Sequence, residues 1–146
     1  MNGEWRRACG LALAVGVLAG CGGGGGSAAP AAASSSVAHP GTVTTAADGV
    51  QEVTLQTQDD YVFTPDHFTV APGKVRLTVV NAATQLTHNF RFVPGKGPEE
   101  ISPGISLLTP GSRETIAFTV QKPGEHPFEC SFHTQLGQLG MMTVKG

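Results

Sequence analysis

The sequence lacks a helical rhythm, since no stretch of ten residues keeps a clean 3.6-residue apolar period, which argues against a helix bundle. It also lacks an apolar run long enough for a membrane helix. The longest, Ala8–Gly20, has 13 residues, where a hydrocarbon core of about 30 Å needs about 20. Charge is sparse at 14% of 146 residues, and the net value of −2 becomes −3 once Glu4, Arg6 and Arg7 of the leader are set aside. The remaining basic residues, Lys74 to Lys145, are scattered among acidic ones, so the clustered footprint of a nucleic-acid binder is missing. Residues 22–47 contain no aromatic and no Asp, Glu, Lys or Arg. They cannot bury enough apolar surface to offset chain entropy. No His-X-His motif occurs, and Pro94-Gly95-Lys96-Gly97 lacks the spaced first glycine and the Ser/Thr of a phosphate-binding loop.

Cysteine is scarce as well, and its three positions differ in kind. Cys9 sits within a leader in which Arg6-Arg7 precedes Ala8–Gly20, the layout of a signal peptide. Leu18-Ala19-Gly20-Cys21 resembles the lipobox of bacterial lipoproteins. Cleavage before Cys21 would leave it acylated at the new N-terminus, followed by a Gly/Ala/Ser-rich tether. A flexible chain of that length reaches on the order of 25–30 Å. The expected organisation is a signal peptide at 1–20, a lipidated Cys21 with a disordered linker to residue 47, and one domain over 48–146. That domain keeps only Cys130. A lone cysteine in an exported domain has no internal partner, so it is a free thiol or it binds something such as a metal.

Within 48–146 short alternating runs separated by Pro-Gly pairs predict strands. The expected strands are Val50–Thr57, Phe68–Val70, Val75–Val80, Thr87–Val93, Arg113–Val120, Gly124–Cys130 and Gly140–Lys145. Pro98–Leu108 reads as the longest connection, with room for a short turn of helix. The fold expected is an all-β, antiparallel Greek-key sandwich of seven to eight strands.

His133 follows Cys130 by three residues, and His88 lies in an earlier strand region. A Greek-key fold can bring both regions to one end. Two imidazoles and a thiolate with a weak axial group form the donor set of a blue-copper electron-transfer site. Structural zinc usually takes four Cys/His ligands, and a binuclear copper centre needs two bridging thiolates where this domain has one. Cys130 as a nucleophile paired with His133 is a further possibility, but it leaves His88 unexplained. His126 reads as a packing or surface residue, and His67 and His39 as solvated ones.

Several segments carry a family resemblance over most of Gln51–Gly146: Phe63-Thr64-Pro65, Val70-Ala71-Pro72-Gly73, Asn81, His88-Asn89, Pro127–His133 and Gly140–Val144. Together they resemble plastocyanin, pseudoazurin and their cupredoxin relatives. The resemblance implies one copper per chain, cycling between Cu(I) and Cu(II), bound through Nδ1 of His88 and His133 and the thiolate of Cys130. It also implies that Asn89 bonds toward the backbone at Ser131 and points its amide N–H at the thiolate. Five residues beyond His133, where plastocyanin-like proteins carry Met, this chain has Gln138. Gln138 is similar to the axial ligand of stellacyanins. Met141 and Met142 are the alternatives, as is an absent axial side chain.

The function expected is a non-enzymatic one-electron carrier, exported and lipid-anchored at the cell surface or in the periplasm. Transient redox partners would dock near His133 on Phe132, Leu136 and Leu139. The alternatives are a copper-handling lipoprotein and a metal-free interaction module.

Overall fold

The computed structural model describes residues 41–146; the expected signal peptide, Cys21, His39 and the linker through Pro40 lie outside the described residues. Ten strands follow in order: β1 (Thr44–Thr45), β2 (Gln51–Thr57), β3 (Phe63–Thr64), β4 (His67–Val70), β5 (Gly73–Asn81), β6 (His88–Phe92), β7 (Ile105–Leu108), β8 (Arg113–Val120), β9 (Gly124–Glu129) and β10 (Leu139–Val144). A single 3₁₀ turn spans Thr134–Leu136.

Alternation explains how the strands face. In β2, Gln51, Val53, Leu55 and Thr57 are buried while Thr54 and Gln56 are exposed. In β5, Val75, Leu77, Val79 and Asn81 are buried. The two strands pair in register from Gln51↔Val75 to Thr57↔Asn81. Their apolar faces therefore coincide, and each ends in a buried polar residue.

The first sheet runs β1-β2-β5-β8, with β3 also on β2, and the second runs β4-β10-β9-β6-β7. The all-β sandwich is as expected, but purely antiparallel pairing is not. β2–β5 and β4–β10 are parallel. The chain passes from β3 in the first sheet to β4 in the second and returns as β5, so β5 runs beside β2 in the same direction. Local alternation carries no record of strand direction.

Two further differences concern the short elements. β7 occupies part of the stretch expected to be connection or helical turn, and it buries Ile105 and Leu108. A register irregularity between His88 and Phe90 separates its pairs His88↔Leu108 and Phe90↔Ile105. An irregular strand of four residues leaves no period-2 signal. At the other end, the expected linker does not run to residue 47. Gly41 N–H donates to the His67 carbonyl at 2.6 Å, Val43 packs on the core and Thr44–Thr45 pair with Gln51 and Glu52.

The core lies between the sheets and is dominated by phenylalanine. Phe128 meets Phe63, Phe68, Phe90 and Phe92 with ring centroids 5.2–6.4 Å apart. Gly140 lies under this ring: a Cβ there would collide with Phe128 and approach the Asp66 carbonyl to 2.6 Å. The second residue of β10 therefore has no room for a side chain.

Candidate metal centre

Three chain segments meet at one end of the sandwich. His88 opens β6, Cys130 follows β9, His133 and Gln138 lie on the loop between β9 and β10, and Thr57 ends β2. The antiparallel pairing of β6 with β9, Arg91↔Glu129 and Phe92↔Phe128, brings the starts of both donor segments side by side. Asn89 then clamps them. Its backbone N–H reaches Cys130 Sγ at 3.4 Å, its Nδ2 donates to Ser131 Oγ at 2.7 Å and its Oδ1 accepts the Ser131 N–H at 2.7 Å. Both contacts implied for Asn89 and Ser131 are present.

The loop from Cys130 to Gln138 closes on itself. Cys130 N–H donates to the Gln138 carbonyl at 3.1 Å, and the His133 carbonyl accepts from Leu136 N–H at 2.9 Å and Gln138 N–H at 3.3 Å. Gly137 makes the reversal at φ 88°, a conformation that glycine adopts without a Cβ penalty. Gln138 is thereby turned inward and fully buried.

The donor atoms converge. His88 Nδ1 and His133 Nδ1 are 3.3 Å apart, Cys130 Sγ is 3.5 Å from His133 Nδ1, and Gln138 Oε1 is 2.8 and 3.0 Å from the two imidazole nitrogens. Among the described residues, His88, Cys130 and His133 are the one group of three or more His, Cys, Asp or Glu donors that could share an ion, all within 4.8 Å of one another. Donors held about 2.0–2.3 Å from a common ion stand roughly 3–4 Å apart, so the spacing fits a bound metal. His88 Nε2 lies 2.9 Å from the Gln58 carbonyl, which can only accept, so Nε2 carries a proton and Nδ1 is the imidazole nitrogen turned toward the donor cluster.

Met142 is fully buried in the core and Met141 pairs in β10 with His67 and Pro127; the side chain that meets both imidazoles is Gln138. His126 is buried, its Nε2 3.3 Å from the Lys122 carbonyl. His67 lies in β4 with its side chain 45% exposed, as a solvated residue, and its Nδ1 2.9 Å from Asp66 Oδ1. Three contributors escaped the sequence reading. Thr57 Oγ1 accepts Gln138 Nε2–H at 2.6 Å, and its place in the buried phase of Val53 and Leu55 was the available signal. Gln58 contributes only a carbonyl. Tyr61 packs edge-on against His133, centroids 4.9 Å apart, from a backbone with φ 57° that sequence does not announce for tyrosine.

A family model for the cupredoxin-like domain matches residues 28–144. The chain belongs to that family. It is 32% identical over 117 residues to the chloroplastic plastocyanin minor isoform of Arabidopsis thaliana, covering 75% of this chain and 67% of that protein. A plastocyanin of Rumex obtusifolius is 35% identical over 88 residues, covering 57% of this cupredoxin and 87% of the relative. Dithionite-reduced auracyanin from Roseiflexus castenholzii superposes with a TM-score of 0.56 at 26% identity, over 66% of this chain and 96% of that one. Family and donor cluster together identify copper as the cofactor.

The loop leading to His88 is held by Asp59. Its carboxylate accepts from Thr84 N–H (2.9 Å), Thr84 Oγ1 (2.8 Å), Gln85 N–H (3.2 Å) and Leu86 N–H (3.0 Å). These bonds, that of the Thr84 amide foremost, lower its pKa from 3.8 to about 2. Because the folded value lies below the unfolded one, the stabilisation is complete above the unfolded pKa and is lost as pH falls through the folded one. Asp59→Asn should lower the urea midpoint at pH 7 and flatten its decline between roughly pH 4 and 2. Parallel midpoint-against-pH curves for the two proteins would refute this.

Proposed function

We propose that this cupredoxin is a one-electron carrier, tethered to the outer face of a membrane by lipid on Cys21 and exchanging electrons through the edge of His133. The observation that carries the reading is the convergence of His88 Nδ1, Cys130 Sγ and His133 Nδ1 in one loop-braced cluster. Bound copper supplies a one-electron Cu(I)/Cu(II) couple, and a soft thiolate with two imidazoles suits both states. The Asn89 clamp and the Cys130–Gln138 loop bonds restrain the donors against rearrangement. Gln138 is the fourth donor in this proposal. Its oxygen favours Cu(II) more than a thioether does, giving a lower reduction potential than a Met-ligated site.

His88 and Cys130 are buried, while His133 is partly exposed, which makes its edge the shortest way out. Phe132, Leu136 and Leu139 are 52%, 58% and 49% exposed around the same loop. They offer an apolar patch for transient redox partners. Leu136→Asp should slow electron transfer to the native partner while leaving the potential unchanged. An unchanged rate would remove the patch from the proposal.

The reading is of a carrier and not an enzyme, because the domain's one cysteine and lack of a His-X-His motif leave no ligands for a second copper centre. Anchoring rests on Arg6-Arg7, the apolar run and Cys21. Cys21→Ser should shift the protein from the membrane to the soluble fraction after export; retention on the membrane would exclude a lipid anchor at this residue. The carrier itself is tested by voltammetry of the copper-loaded chain. A reversible one-electron wave is expected, and copper that exchanges readily with a chelator without such a wave would indicate copper handling instead.

A further inference from the structure

Gln138 presents two ends of nearly equal shape to its surroundings, an oxygen that can bind a cation and an NH₂ that cannot. Its oxygen faces His88 Nδ1 and His133 Nδ1 at 2.8 and 3.0 Å. The side chain is fully buried. An NH₂ turned away from the imidazoles must therefore find a partner inside the protein, since a buried donor left unpaired is costly.

That partner is Thr57. β2 alternates Val53, Leu55 and Thr57 into the interior, so its last residue is delivered to the donor cluster by strand period alone. Thr57 Oγ1 lies 2.6 Å from Gln138 Nε2 and is fully buried. Its register neighbour Asn81 cannot substitute. Asn81 Nδ2 donates to the Leu86 and Leu108 carbonyls and Oδ1 accepts the Ala83 N–H.

We propose that Thr57 is a positioning residue for the copper site: by accepting the Gln138 N–H, it lets the Gln138 oxygen face the two imidazole nitrogens without leaving its NH₂ unpaired. Without the Thr57 oxygen the amide would satisfy its NH₂ only by turning it toward the acceptors of the cluster, and the Gln138 oxygen would be withdrawn from the imidazoles. The inference rests on Gln138 being the fourth donor. A valine at 57 keeps the side-chain shape and removes only the acceptor.

The test measures reduction potential and the Cu(II) EPR spectrum of the copper-loaded full chain as wild type, Thr57→Val, Thr57→Ser, Gln138→Met and the double variant Thr57→Val/Gln138→Met. Thr57→Val should raise the potential in the same direction as Gln138→Met. An ordinary hydrogen bond is worth up to about a factor of ten, and a tenfold loss of preference for Cu(II) is about 59 mV for one electron. Thr57→Ser should restore the wild-type potential and spectrum. In the Gln138→Met background Thr57→Val should add little, because the two act through one contact; a full additive shift would mean that Thr57 acts only on general packing and would overturn the proposal. If Gln138→Met moves both readouts and Thr57→Val neither, Gln138 is the donor and Thr57 does not position it. If Gln138→Met moves neither, the donor assignment itself fails. Should Thr57→Val not fold, NMR of the wild-type Cu(I) protein decides: the Gln138 side-chain NH₂ should be protected from exchange and show a nuclear Overhauser contact to the Thr57 methyl, and a freely exchanging NH₂ would overturn the proposal.

Discussion

Replacing Cys130 by serine is expected to abolish the intense visible absorption of the copper-loaded protein while leaving the fold in place. The absorption requires a thiolate whose electron density overlaps with Cu(II), and the domain has one sulfur in reach, Cys130 Sγ, beside His133 Nδ1 and Asn89 N–H. Serine matches cysteine in shape but supplies a hard, weakly donating oxygen. Cys130 is fully buried, and the Asn89 N–H that pointed at sulfur can donate to the new hydroxyl, so the exchange removes the chemistry more than the packing. Far-UV circular dichroism should be unchanged and the visible band absent. A serine variant that kept the band would sink the assignment of Cys130 as the ligand.

The largest loss of stability is expected from Phe128→Ala. Phe128 is fully buried and contacts four other phenylalanines, two of which, Phe63 and Phe68, come from β3 and β4 on the approach to β5, and two, Phe90 and Phe92, from β6. Through Phe63, on β3 of the first sheet, it joins the two sheets at the point where β9 leads into Cys130. Truncating a buried phenylalanine costs about 3–5 kcal/mol through lost burial and the cavity left behind. Against a total of roughly 5–15 kcal/mol for an ordinary domain, the variant should be close to unfolding. Urea unfolding of the metal-free protein measures the change without the mass-action stabilisation that a bound ion adds. A loss below about 1 kcal/mol would mean that the neighbouring rings collapse into the cavity.

How much of this was legible beforehand differs by element. Arg113–Val120 has the same bounds in sequence and structure, because eight residues with inward Phe118 and Val120 give the period a full run. β3 and β1, at two residues each, are too short to alternate. β7 is interrupted by an irregular register. The parallel partners β2–β5 and β4–β10 depend on the path between the sheets, which no local pattern records.

The site divides in the same way. His88, Cys130 and His133 were legible because their side chains carry chemistry rare enough to stand out, and the Cys130–His133 spacing lies within one short loop. Gln138 could be placed by counting along that loop. By itself, then, the sequence determined a strand-rich domain with one unpaired cysteine and a copper-type donor set, since these follow from residue identity, spacing and period. Only the tertiary structure decided that the Gln138 oxygen lies 2.8 and 3.0 Å from the two imidazole nitrogens while Met142 is buried in the core, and that Thr57, 81 residues away in the chain, meets the other end of the Gln138 amide. Orientation inside a closed site is set by which hydrogen-bond partners the packing of distant strands brings within reach, and that is a property of the assembled sheets.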